Sequence, residues 1–330
     1  MARMDSPKKR TVASHKCSGA ALKDEKRAAV PVDDDDDEYH DEATCCADDD
    51  KSVNVLSKEE LLPYDEDEAN RETLETAVNM MREQEDWLVQ HEAIVSLRRL
   101  IVHHAFVVKD HYADEFTDLL LLGCDNLRSA LSKNALLAFA ECFEYLSSDS
   151  TLSLKFLKHP ALLDVLLRRA SCEKKFLRDA ATYAVEQMVH YLASWQLIKN
   201  AGAFAKNKNA RLCGNAAKVV SSSLQRLKDQ HNENIERILH MDGSKHMVAI
   251  CQALATFRGA KDKTARNESA KCFALLGEAM GKDALDTVLS GALKDPLTVS
   301  RIVNEVFPVP IGADHSKARR GSLRERMLLQ

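Results

Sequence analysis

A short pattern returns five times along this chain, and it constrains the fold more than any other feature. It reads apolar or small, then Arg or Gln, then two variable positions, then a small or apolar residue opening a helical run. The copies are Val89-Gln90-His91-Glu92-Ala93, Leu127-Arg128-Ser129-Ala130-Leu131, Leu177-Arg178-Asp179-Ala180-Ala181, Ala210-Arg211-Leu212-Cys213-Gly214 and Ala265-Arg266-Asn267-Glu268-Ser269. Their spacing is uneven but averages near the ~40–47 residues of two-helix solenoid repeats. One helix pair cannot bury its own apolar face, so the pairs must stack into a continuous core. Stacking brings their internal turns into a row along one edge, which is where function is expected.

Composition agrees. Leu and Ala are abundant, aromatic residues make up 5% of the chain, and there are only 11 glycines and 7 prolines. That profile suits stacked helices and disfavours sandwiches, barrels and tight-turned βαβ units. No run alternates in the manner of a strand. The period predicts helix pairs near 70–85 and 87–104, 112–124 and 128–147, 160–171 and 175–193, and 194–205 and 209–228. A fifth pair follows near 232–257 (broken about Asp242-Gly243) and 264–280, and a shorter sixth near 283–293 and 297–306. Pro160 suits a first helical turn, Gly281 a helix stop, and Ser57-Lys58-Glu59-Glu60 a capping box that opens the helical region. The expected fold is all-α, a HEAT/armadillo-like α-solenoid of about six helix pairs.

Charge divides the chain further. The formal net charge is −5, but it is segregated. Residues 1–30 are basic, with Lys8-Lys9-Arg10, while residues 31–50 carry only acids, including Asp33 to Asp37 and Asp48 to Asp50. Such runs repel themselves and hold few periodic apolar residues, so residues 1–57 read as a disordered charged tail. Residues 58–307 form the solenoid. Pro308-Val309-Pro310 ends the last helix, and 308–330 read as a flexible basic tail. The nine cysteines show no C-x-x-C and no disulfide framework, which predicts buried thiols in a reducing compartment. No stretch reaches the ~18 apolar residues of a membrane span, and the N-terminus lacks the apolar core of a secretory signal. A cytoplasmic protein is expected.

The five internal turns hold Glu85-Asp86-Trp87, Asp125-Asn126-Leu127-Arg128, Cys172-Glu173-Lys174-Lys175-Phe176, Lys206-Asn207-Lys208-Asn209 and Lys261-Asp262-Lys263-Thr264. An aromatic residue opens the row and three successive basic turns follow. Such a ridge would attract an acidic protein surface, with the charges steering encounter and the indole acting as an anchor worth ~2 kcal/mol or more in a partner's pocket.

Two blocks within this row resemble a known family. Asp86-Trp87-Leu88 followed by the amphipathic run to Leu97-Arg98-Arg99-Leu100 resembles the opening repeat of a TOG domain. Asn126-Leu127-Arg128-Ser129-Ala130-Leu131-Ser132-Lys133 resembles the second repeat of the CLASP and crescerin branch. The likeness spans roughly residues 70 to 305. It implies an array of about six HEAT repeats that binds αβ-tubulin or the microtubule lattice through its internal turns. By position, Trp87 would be the anchor, with Asn126 and Arg128 beside it. Lys174, Lys175, Lys206, Lys208, Arg211, Lys261, Lys263 and Arg266 would be the electrostatic contacts. The implied role is modulation of microtubule assembly or stability in the cytoskeleton, with a cilium or flagellar axoneme suggested by the crescerin-like block. Gln90-His91 departs from the family, which often has a basic residue there. A single domain argues against strong polymerase-like activity, which needs linked modules.

Competing readings remain open at this level. Trp87 could belong to the core, and Trp195 is expected to pack inside. The arginines at 128, 178, 211 and 266 could bridge to acids of neighbouring repeats, and Phe176 should tuck into the first turn of its helix. Arg319-Arg320-Gly321-Ser322 has the shape of a basophilic kinase site, making Ser322 a candidate phosphosite. An adaptor gripping a peptide or acidic partner on its inner helices is the alternative to tubulin; Asn134 and Asn215 are the asparagines placed to serve it. Nucleic-acid binding lacks aromatic stacking partners beside the lysines. No phosphate-cradling glycine loop, catalytic motif set or metal-ligand spacing occurs, so no enzyme, cofactor or metal is expected.

Overall fold

The computed structural model describes residues 53–83, 86–230 and 245–308. The chain divides into two units, Met1–Asp50 and Lys51–Gln330; the first, with its basic and acidic runs, lies wholly outside the described residues, as do Asp242-Gly243 and the tail from 309.

Among the described residues fourteen α-helices follow in order: α1 (Arg71–Arg82), α2 (Trp87–His103), α3 (Ala105–Asp110), α4 (Asp114–Cys124), α5 (Ser129–Leu146), α6 (Ser150–Lys158), α7 (Leu162–Arg169), α8 (Lys175–Leu192), α9 (Trp195–Gly202), α10 (Ala210–Gln230), α11 (Lys245–Arg258), α12 (Lys263–Met280), α13 (Lys282–Ala292) and α14 (Pro296–Val306). No strand occurs among the described residues. Helices α1, α4, α7, α9, α11 and α13 form the first layer, and α2, α5, α8, α10, α12 and α14 pack in succession as the second layer. This is the α-solenoid that the repeat demands.

Each start has a chemical reason. Asn70 accepts from the Thr73 N–H at 3.1 Å to open α1. Asp149 and Asp295 each accept from two backbone N–H groups to open α6 and α14, and Pro296 sits in the first turn, where its missing N–H costs nothing. Gly281 ends α12 at φ 78°, a left-handed conformation that glycine adopts without a Cβ penalty.

The structure departs from the periodic reading in three places. Ser57 opens only one 3-10 turn, Lys58–Glu60: Pro63 disfavours helical geometry in the residue before it, and the chain runs on without helix to Asn70. Residues 53–57 belong against the fold, not to the tail, because Arg98 Nη1 donates to the Leu56 carbonyl at 2.8 Å. Helices α3 and α6 occupy stretches read as connections. Their apolar positions are too few to show a period, yet Val107, Val108, Leu152, Phe156 and Leu157 are buried. Phe156 meets Phe143 of α5 edge to face at 5.6 Å and Tyr112 at 5.9 Å, which docks α6 onto the second layer.

Within the apolar core lies one charged pair. Arg98, fully buried, holds Glu141 through Nη2 at 2.6 Å and Nε at 2.9 Å, and Nη1 takes Asn134 Oδ1 at 2.9 Å. This links α2 to α5. Removing one partner strands a buried charge, which costs roughly 3–5 kcal/mol. Arg98→Ala is therefore expected to lower unfolding free energy in urea by that order, while Arg98→Met with Glu141→Leu should recover most of it. Equal loss in the single and double variants would contradict this account.

Candidate functional site

The internal turns lie where a first-layer helix ends and a second-layer helix begins, so each must satisfy N–H groups on one side and C=O groups on the other. In the first turn the Asp86 carboxylate accepts from the Leu88 N–H at 2.8 Å, which places Trp87 at the first position of α2. Trp87 is half-buried, with its indole against the core. In the second turn Asn126 Oδ1 accepts from the Arg128 N–H at 2.9 Å. Arg128 lies above Trp87, its guanidinium carbon 5.5 Å from the ring centroid, in cation–π range. Turns one and two are thus in contact.

The row continues by direct contacts. Lys174 of turn three donates through Nζ to Ser129 Oγ at 3.0 Å, at the start of α5. Asp125 of turn two is held by Arg168 at 2.9 Å and Arg169 at 3.2 Å, both from the end of α7. Partial burial alone would raise the Asp125 carboxyl; the hydrogen bonds and charges of the two arginines outweigh it and hold it below the usual range. From α10, Arg211 Nη1 donates to the Ser171 and Cys172 carbonyls at 3.3 Å, and Asn215 Nδ2 to the Ala170 carbonyl at 3.0 Å, tying turn four to turn three. A Cβ on Gly214 of α10 would stand 2.5 Å from Asp262 Oδ1. Only a glycine lets turn five come this close, and Asp262 caps α12 by accepting from Ala265 N–H at 2.8 Å. Five turns separated in sequence therefore form one continuous edge.

The Arg-or-Gln position of the repeat now has a physical role. Gln90 donates to the Met81 carbonyl at 3.2 Å, Arg178 to the Cys172 and Glu173 carbonyls at 3.1 Å, and Arg266 to the Ala260 and Lys261 carbonyls at 2.9 and 2.7 Å. With Arg211, these side chains clamp carbonyls at the ends of first-layer helices. Arg178, Arg211 and Arg266 take backbone carbonyls where bridges to acids of neighbouring repeats were the competing expectation, and Arg128 stacks on an indole.

Other expectations sort as follows. Lys175, Lys206, Lys208, Lys261 and Lys263 are exposed, and no ion pair to them occurs among the described residues. Asn126 is half-buried and shapes its turn, while Lys174, Arg211 and Arg266 are exposed but hydrogen-bonded as above. Trp195 packs on the core and meets His246 at 4.8 Å. Phe176 does not tuck in; it is 46% exposed. Asn134 is fully buried and donates to the His91 carbonyl at 3.1 Å, so it offers nothing to a peptide, and Asn215 is engaged with turn three. Ser322 lies outside the described residues. The thiols of Cys251 and Cys272 are pushed by burial up to about 12, which keeps them protonated and inert. Sequence reasoning missed Leu127, 95% exposed between Asn126 and Arg128, and Leu297, 80% exposed just inside α14. The available signal was position: each falls at a helix start, where the core-facing period has not begun.

No protein-family model matches the chain, and no curated protein matches it. Among solved structures, the TOG domain of C. elegans Zyg9 aligns over 76% of this chain and 89% of its own, with TM-score 0.53 and 17% identity. The fold is that of a TOG domain. A structure from the microtubule plus-end tracking system of XMAP215, CLIP-170 and EB1 aligns over 74% of this chain and 93% of its own at TM-score 0.49 and 18% identity. Crescerin, whose TOG domain array regulates microtubules in the primary cilium, aligns over 76% and 90% at 0.46 and 15%.

Two outcomes follow from this geometry. Gly214→Ala forces Asp262 off its cap and should cost roughly 1–3 kcal/mol, seen as a lower Tm; an unchanged Tm would mean that turn five does not need the close approach. Asp125, with its carboxyl held low, adds stability that is present above its unfolded value of about 3.9 and is lost as pH falls through its lower folded value. The stability difference between wild type and Asp125→Asn should be under ~1 kcal/mol at neutral pH, since the pair is partly solvated, and should close in acid. A difference that widened below pH ~4 would reverse the sign.

Proposed function

We propose that this chain is a microtubule-associated protein that binds αβ-tubulin, as free dimer or in the lattice, through the continuous edge of its internal turns, and so modulates microtubule assembly or stability. The observation that carries this reading is the contact-by-contact continuity of the five turns. It sets the Trp87–Arg128 stack and the exposed Leu127 at one end and the lysines of turns four and five at the other.

The chemistry divides along the edge. Across residues 173–179, 206–211 and 261–266, nine basic side chains stand against three acidic ones, Glu173, Asp179 and Asp262. That stretch steers an acidic surface toward the edge and orients it. The Trp87 end supplies area that desolvates well and anchors a complex. In this reading Trp87, Asn126, Leu127 and Arg128 meet one tubulin subunit. Lys174, Lys175, Lys206, Lys208, Arg211, Lys261, Lys263 and Arg266 meet the other. Crescerin's work in the primary cilium makes a cilium or axoneme the place to look first.

Size-exclusion with tubulin and co-sedimentation with microtubules test this. Lys206→Glu/Lys208→Glu with Lys261→Glu/Lys263→Glu alters only exposed side chains and should weaken binding at least tenfold and flatten its salt dependence. Trp87→Ala should weaken it by ~2 kcal/mol with less effect on the salt dependence. Undiminished tubulin binding in both variants would remove the edge as the interface. Binding of an acidic non-tubulin protein in place of tubulin would favour the adaptor reading.

A further inference from the structure

Before α1, the chain lies as a strap across α2 and α5, with the 3-10 turn Lys58–Glu60 within it. Four strap carbonyls, that of Leu56 and those of the consecutive Leu61, Leu62 and Pro63, receive side-chain donors from α2. Arg98 Nη1 donates to Leu56 O at 2.8 Å and His103 Nε2 to Leu61 O at 2.7 Å. Arg99 donates to Leu62 O at 2.6 Å and Pro63 O at 3.0 Å. In return the Tyr64 N–H donates to His104 Nε2 at 3.2 Å. Side-chain recognition is confined to a few points. Lys58 pairs with Glu144 of α5 at 3.0 Å and lies 5.7 Å from the Tyr145 centroid; Leu61 is 3% exposed; the Arg99 guanidinium covers the Tyr64 ring at 3.6 Å.

Donors that read main-chain carbonyls give affinity for a peptide backbone, and an acidic partner for a lysine with an apolar pocket for a leucine gives a choice of sequence. The buried Arg98 does not depend on the strap alone. Without it Arg98 keeps Glu141 and Asn134, and Leu61 is the one large aliphatic side chain of 53–64 that is sealed from solvent. We propose that the faces of α2 and α5 form a peptide-binding site that residues 56–64 fill in cis, and that the same segment of a second copy of this chain fills it in trans when the cis strap is displaced. The site is separate from the turn edge and independent of the tubulin reading.

The test uses the full chain with the strap undocked by Lys58→Glu/Leu61→Asp, and a fluorescent synthetic peptide of residues 53–66 read by anisotropy. The undocked variant should bind the peptide in the micromolar range. Wild type should bind at least tenfold more weakly, because its own strap competes at high effective concentration. In a chain undocked by Lys58→Ala/Leu61→Asp, adding Glu144→Lys should abolish binding of the natural peptide and confer binding of a peptide carrying Lys58→Glu, a swap that general stickiness would not reproduce. An undocked chain that keeps its helical circular dichroism yet takes no peptide overturns the proposal, as does wild type binding equally well. Should the double variant unfold, Lys58→Glu alone is used; unfolding there too would make the strap part of the core and overturn it as well. No arm involves tubulin, so the two readings fail separately.

Discussion

The edge depends on how the end of a helix is satisfied. A helix leaves its last carbonyls without partners, and two stacked layers bring a dozen such ends close together. Here the repeat places a long donor near the start of four second-layer helices, α2, α8, α10 and α12. Gln90, Arg178, Arg211 and Arg266 reach back to the carbonyls of a preceding turn. The clamp fixes the turn between the two helices, and the turn then has few conformations in which to present its lysines. A rigid turn also loses less entropy on binding. The most regular feature of the sequence is thus a device for holding turns still, and contact chemistry falls to the less regular residues beside it.

A second constraint sits inside the second layer. The Arg98–Glu141–Asn134 cluster joins α2 and α5 by bonds with fixed direction, where the surrounding leucines and alanines would tolerate sliding. A buried pair of this kind adds little net stability, but it specifies one register between the two helices. The Trp87–Arg128 stack needs that register, because Trp87 belongs to α2 and Arg128 to the start of α5. The charged cluster in the interior and the aromatic contact on the edge are therefore two consequences of a single alignment.

These dependencies explain which features could be read from the chain. The long helices were legible because each buries a stripe at the 3.6 period over three or more turns, as in α5 from Leu131 to Leu146. The turn order followed from the repeat. Helices α3 and α6 were not legible: six and nine residues are too few for a period to stand out. The strap escaped for a different reason. Its recognition runs mostly through backbone carbonyls, which every residue has, so no pattern of side chains announces it. The arginines were the instructive case. Their spacing was plain, but whether a guanidinium takes a carboxylate, a carbonyl or an indole depends on what the neighbouring repeat brings within reach, and that is decided by packing.

The same logic bears on where function sits along the edge. Residues that shape the turns, such as Asn126, Asp262 and Arg266, have their polar groups engaged in the fold. Replacing one changes the turn itself, so loss of a partner there would not distinguish a contact from a support. Lys206, Lys208, Lys261 and Lys263 are exposed, and no hydrogen bond or ion pair ties their side chains to another described residue. Leu127 is the apolar counterpart, almost wholly in solvent at a position where no core demands it. A large aliphatic side chain held out beside a cation–π pair costs solubility without stabilising the fold, whereas burial against a partner would recover roughly 1.5–3 kcal/mol. The discriminating positions on this surface are therefore the ones the fold does not use.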